Sequence, residues 1–294
     1  MKMKIDKWIE KNTTSLAGKT VAISGATGGI GIWLCRHAAA LGASLILLDR
    51  NQEKSNSLKK ELLGEFPSLS VSLIRLDLSD IKCVAQAAEE LKKIPLDALI
   101  LNAGAYAVPR FKCSTGLDNV FQINFAAPYY LARELAPHLR ERGGRVVAVG
   151  SIAHNYSRTD ENDVDFSTRK KANLVYGNAK RYLMFALGEI FCDGECAVVH
   201  PGITFTNITA HYPPLIFAII KHPMKIIFMH PKKAALSIVR GLFEHTGRNE
   251  WIGPRLFDVW GLPKKKRLST CSDEERNYIA KKAEQIYSEI KSSL

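Results

Sequence analysis

The stretch KTVAISGATGGIGIWLCRHAAALGASLILLDR, residues 19–50, carries two apolar runs, KTVAIS (19–24) and SLILL (44–48), with a glycine-rich turn and a helical pattern between them. Neither run alternates apolar with polar residues, so each reads as a strand buried on both faces. Gly25, Gly29 and Gly31 follow the first run in the spacing G-x-x-x-G-x-G. A turn without Cβ atoms lets backbone amides approach a diphosphate, and the helix N-terminus adds positive potential. The strand before and the helix after are the context that such a turn needs.

Working outward, strand-like runs recur at VSLIRL (71–76), DALIL (97–101), RVVAVG (145–150) and ECAVVH (195–200), with amphipathic segments between them. This rhythm predicts an α/β fold, a Rossmann-type doubly wound parallel sheet with helices on both faces. No repeat, low-complexity block or linker divides the chain, so one dinucleotide-binding domain over 1–294 is expected, with its core at about 19–260. After His200 come an apolar insertion (207–230), a helical stretch (231–244), a short strand WIGP and a basic loop KKKR (264–267). A C-terminal helical elaboration at 272–291 opens with the capping-box spacing of Ser272 and Glu275.

The 294 residues carry a formal charge of +12 and are 46% hydrophobic, which suits a globular chain with a sizeable core. Without zinc-finger spacing or a sustained basic block, the charge reads as a diffuse surface, and nucleic acid is not expected as a partner. The six cysteines are scattered, and Cys192 and Cys196 lack partners at metal spacing. No H-E-x-x-H occurs, so no metal is expected. The opening MKMKIDKWIEKN has no apolar leader core, so the chain reads as cytoplasmic with reduced thiols. The insertion is broken by prolines and lysines and is too short to span a bilayer. Its apolar and basic character suits a substrate cover or contact with a membrane surface through 212–230.

The second strand ends at Asp49, eighteen residues beyond Gly31, where a carboxylate can accept hydrogen bonds from adenosine ribose hydroxyls. That predicts NAD; Arg50, next in sequence, allows NADP. In LVYGNAKRYLMFAL, Tyr176 and Lys180 share a helix face. Alone, the pair would be a solvated helix face, Ser151 a strand-end turn residue and Asn124 a buried helix polar group.

Together, in order, these residues resemble the classical short-chain dehydrogenase/reductase family over residues 19–206. Its T-G-x-x-x-G-x-G turn is matched from Ser24 and Gly25 through Thr27, Gly29 and Ile30 to Gly31, with serine keeping the threonine hydroxyl. Asp77, followed by Leu78, matches its acidic position near the adenine, and Asn102-Ala103-Gly104 its N-A-G motif. Asn124, Ser151 and Tyr-x-x-x-Lys at Tyr176 and Lys180 match its catalytic positions. Pro201, Gly202, Thr204 and Thr206 fall in its P-G-x-x-x-T segment beside the nicotinamide.

The resemblance implies hydride transfer between a nicotinamide and an alcohol or carbonyl. Tyr176 would be general acid/base, Lys180 would lower its pKa and orient the ribose, Ser151 would hold the substrate oxygen, and Asn124 would seat a water behind Lys180. Twenty-five residues separate Ser151 from Tyr176, and with SIAH this is similar to the retinol-dehydrogenase-like branch, which implies a lipophilic substrate. A 3-oxoacyl-thioester reductase and a non-catalytic dinucleotide sensor or scaffold are the alternatives. The resemblance also implies a homo-oligomer.

Overall fold

The computed structural model describes residues 2–191, 194–204 and 228–294. Thr206 and residues 207–227 of the expected lid lie outside them. Eight strands form one sheet in the order β3-β2-β1-β4-β5-β6-β7-β8. They are β1 (Thr20–Ser24), β2 (Ser44–Asp49), β3 (Val71–Arg75), β4 (Ala98–Leu101), β5 (Arg145–Val149), β6 (Cys196–Val199), β7 (Glu250–Leu256) and β8 (Trp260–Arg267). The first seven pair in parallel, and β8 runs antiparallel to β7.

The unbroken apolar runs are explained by the two cores. Ala22, Ile46, Leu48, Leu99, Leu101, Val146 and Ala148 enter one hydrophobic cluster. Their strand neighbours Val21, Ile23, Leu45, Leu47, Ala98, Ile100 and Val147 enter another. Successive side chains point to opposite faces, so a strand covered on both sides must be apolar at every position. Strand β1 lies between β2 and β4, and the chain winds outward from it in both directions. That reversal opens a crevice at the strands' carboxyl ends, where ligands of such sheets bind.

Two expectations need correction. KKKR is not a loop: Lys264 to Arg267 pair with Gly253 to Glu250 in the β7–β8 ladder. Lysine is depleted in strands, so propensity hides it, yet a charged edge strand discourages pairing with another chain. Lys265 faces Glu244 and Glu250 at 3.5 and 3.4 Å, and Lys266 faces Asp258 at 2.8 Å. The capping box is only half formed. Ser272 accepts from the Glu275 backbone N–H at 3.2 Å, but the Glu275 carboxylate turns away to Arg181.

An N-terminal helix, α1 (Lys2–Asn12), also escapes the sequence reading. Its buried Ile5 and Trp8 pack with Leu236, with Ile9 against them, a short i, i+3, i+4 stripe inside a charged segment. Among the described residues no helix is long and apolar enough to cross a membrane.

Candidate active site

The glycine turn joins β1 to α2 (Gly31–Ala40). Ser24 anchors it: its hydroxyl donates to the Ile100 carbonyl at 3.1 Å and accepts from the backbone N–H groups of Asn102 and Ala103 at 3.0 Å each. Asn102 returns Nδ2–H to the carbonyls of Ser24 and Gly25 at 2.9 and 3.1 Å. The S-G and N-A-G motifs are thus two halves of one brace across β1 and β4. A Cβ on Gly31 would lie 2.1 Å from the Gly25 carbonyl oxygen and 2.7 Å from that of Ala26. Helix α2 has no side-chain cap, and among the described residues the N–H groups of Gly29 and Ile30 have no partner. A diphosphate fits this cradle, since its oxygens satisfy such amides at a helix N-terminus.

At the end of β2, Asp49 is buried and already engaged. Its Oδ1 accepts from the Thr27 backbone N–H at 3.2 Å and hydroxyl at 2.9 Å, and its Oδ2 from Ser55 at 3.3 Å. Burial raises its pKa, and the hydrogen bonds from Thr27 and Ser55 partly reverse this. Arg50 is exposed and has no partner among the described residues. Asp77 Oδ1 caps Ser79, accepting from its N–H at 3.0 Å and its hydroxyl at 2.6 Å. The Leu78 side chain is buried, and its carbonyl accepts from Gln122 Nε2 at 3.1 Å.

Ser151 follows β5 and caps the one-turn helix Ile152–Tyr156, its Oγ accepting from the Ala153 N–H at 3.2 Å. Tyr176, from α7 (Ala172–Ile190), stands close enough to Ser151 for that side chain to act on its phenol. Lys180, one turn on, is buried and donates to the Val149 carbonyl at 2.8 Å, its Nζ 5.8 Å from the Tyr176 ring centre. Asn124 lies in a π-helical turn, Gln122–Ala126. Its Nδ2 donates to the carbonyls of Ala105 and Val120 at 2.8 Å, and its Oδ1 accepts from the Ala105 N–H at 3.2 Å. A Cβ on Gly104 would fall 2.7 Å from Asn124 Oδ1 and 3.6 Å from Lys180 Nζ, so the catalytic candidates meet around that glycine.

The electrostatics differ from the expectation. Burial pushes the Tyr176 phenol up to about 12; the Ser151 side chain draws it back in part, and Tyr106 adds to the rise. Lys180 faces the ring and a carbonyl rather than the hydroxyl, and burial lowers it to about 8.

Gly202 adopts φ +86°, and a Cβ there would meet the Val259 carbonyl at 2.7 Å, which places the β7–β8 turn beside Pro201-Gly202. Thr204 bridges Met229, so the two stems of the insertion meet at the site. Tyr106 stands edge-on to Tyr176, 5.3 Å between centres at 83°. Phe166 packs with Val120 and Val175 beside Val108, Leu174 and Tyr176, forming an apolar wall. These wall residues carry no motif signal. His154, visible in SIAH, is buried; its ring meets the Ser151 carbonyl and the Thr270 hydroxyl. Burial, with Arg181 and Arg158 nearby, lowers it to about 4.

A family model described as short chain dehydrogenase matches residues 19–162. The chain is 32% identical over 213 residues to the short-chain dehydrogenase TIC 32 A, chloroplastic, of Brassica napus, covering 65% of this chain and 66% of that protein. It is 28% identical over 207 residues to the polyprenol dehydrogenase of Homo sapiens, covering 66% and 63%. The matched region thus spans just under two thirds of these relatives' length. The short-chain dehydrogenase from Sphingobium yanoikuyae, solved in complex with NADPH, superposes with a TM-score of 0.54 at 25% identity, covering 65% of this chain and 74% of that one. By the family model, the chloroplastic relative and the solved neighbour together, the chain belongs to the short-chain dehydrogenase/reductase family.

Proposed function

We propose that the chain is an NADP(H)-dependent oxidoreductase that reduces a lipophilic carbonyl to its secondary alcohol. The observation that carries this reading is Tyr176 set beside Ser151 and Lys180 in the same crevice as the Gly29 and Ile30 amides, which have no partner among the described residues. A bound nicotinamide supplies the hydride to the carbonyl carbon. Ser151 holds the substrate oxygen, and the Tyr176 hydroxyl gives its proton to that oxygen. Burial raises the phenol's pKa, so Tyr176 carries the proton that reduction consumes. Lys180 stabilises the phenolate left behind, and Asn124 and Gly104 keep the space in which it turns.

The cofactor reading shifts from NAD to NADP because the Asp49 carboxylate accepts from Thr27 and Ser55 while Arg50 is exposed with no partner among the described residues. The lipophilic substrate is supported by the Tyr106–Phe166 wall and by the turn next to Gly202, where Phe257 is 92% exposed with Leu256 and Trp260 beside it. The name of the human polyprenol dehydrogenase points the same way. A titration with NADPH and NADH, followed by a carbonyl panel of graded chain length, tests the reading. Arg50→Ala should weaken NADPH by about 10–100-fold, the worth of a charge-assisted phosphate contact, and leave NADH within about twofold. Turnover confined to small, highly charged substrates would overturn the lipophilic assignment.

Lys180 also sets a pH limit. Its pKa in the folded chain lies below that of a free lysine, at about 8, so its charge is present below that pH and lost as pH rises through it. Dinucleotide affinity of the free protein should therefore decline above about pH 8. Lys180→Met should bind weakly at all pH values, with no such limb.

A further inference from the structure

Resting on that reading, we propose that the C-terminal segment positions the catalytic serine through a latch, Thr270 acting on His154 and Glu275 on Arg181. Its anchors lie beyond residue 162, where the family match ends. His154 Nδ1 lies 2.6 Å from the Ser151 carbonyl oxygen and Nε2 lies 2.8 Å from Thr270 Oγ1. A carbonyl can only accept, so Nδ1 carries the proton. A neutral imidazole has one N–H, so Nε2 must accept, and the Thr270 hydroxyl is its donor. The Ser151 carbonyl thus fixes the tautomer, and Thr270, donating to Nε2, holds the ring in the place from which it grips the Ser151 backbone.

Arg181 fastens the other side. It follows Lys180 on α7, turned about 100° around the helix, and is fully buried. Its guanidinium donates to the His154 carbonyl at 3.3 Å, to the Thr270 carbonyl at 2.6 Å, and to both Glu275 oxygens, Nε at 2.6 Å. The carboxylate that leaves the capping box at Ser272 is the one that completes this fork. Helix α7 and the Ser151 loop are therefore held at a set separation by one C-terminal anchor. Thr270 and Glu275 are positioning residues, since neither touches the reacting atoms.

The test pairs Thr270→Val with Thr270→Ser. We expect Val to lower kcat about tenfold, the cost of a lost buried hydrogen bond, with dinucleotide Kd unchanged, and Ser to restore kcat to within twofold. A Thr270→Val enzyme with wild-type kcat, or a Ser variant as impaired as Val, overturns the latch. A second measurement needs no turnover. The 15N shifts of the His154 ring in the wild-type protein, identified by the signals lost in His154→Gln, should show a protonated Nδ1 and a bare Nε2 at neutral pH. The opposite tautomer or an imidazolium overturns the proposal. Should wild type show no Tyr176-dependent turnover, the oxidoreductase reading alone falls, and the ring nitrogens decide the latch.

Discussion

Tyr176→Phe is expected to lower kcat for carbonyl reduction by about 10²–10⁴-fold, the usual worth of a general acid, while dinucleotide Kd changes by less than about twofold. The two effects separate because the variant deletes one oxygen. The phenol ring stays packed against Tyr106 and the Phe166 cluster, and Lys180 keeps its bond to the Val149 carbonyl. What disappears is the hydroxyl beside Ser151 that gives its proton to the substrate oxygen. Stability should fall by about 1 kcal/mol at most, the net worth of a single hydrogen bond. Steady-state rates, a fluorescence titration with NADPH and a thermal melt check the three parts. A variant retaining more than a tenth of wild-type kcat would refute the tyrosine's role. Dinucleotide binding without any Tyr176-dependent turnover would instead favour the sensor alternative.

The strand–glycine–helix reading succeeds because every residue it needs is local. Gly31 and Gly25 are six apart, and burial on both faces writes itself into β1 and β2 as continuous apolar runs. The catalytic candidates were legible only as a set, since Ser151 and Tyr176 sit on different elements and meet through the winding of the sheet. Asp49 was read for its position, but whether its carboxylate faces a ribose or its own chain depends on where Thr27 and Ser55 point. Propensity concealed β8, because the ladder with β7 rather than residue type holds the lysines extended. The contact of His154 with Thr270 spans 116 residues, and no spacing rule reaches that far.

Gly31→Ala should abolish measurable dinucleotide binding, weakening it by more than about 100-fold, without altering the Ser151–Tyr176 contact. Its Cβ would stand 2.1 Å from the Gly25 carbonyl oxygen and 2.7 Å from that of Ala26, and both obstacles are backbone. Neither can withdraw freely. Gly25 sits at φ +65°, its N–H bonded to the Leu48 carbonyl at 2.9 Å, its own Cβ position 3.0 Å from Ala103 Cα, and its carbonyl held by Asn102. The turn must therefore open or α2 must start later, and either shift carries the amides of Gly29 and Ile30 away from the place where a diphosphate would lie. Distortion of a braced backbone should also cost about 2–4 kcal/mol of stability, so binding must be measured on protein shown to be folded. Gly64, within helix α3 (Gln52–Glu65), supplies the control because a Cβ there meets nothing within 4 Å. Gly64→Ala should raise stability by about 0.5–1 kcal/mol through helix propensity and leave binding intact. NADPH titrations and melts of the two variants side by side separate a cradle that needs its missing Cβ from a general intolerance of the chain to alanine at glycine, and equal binding by both would remove the cradle from the argument.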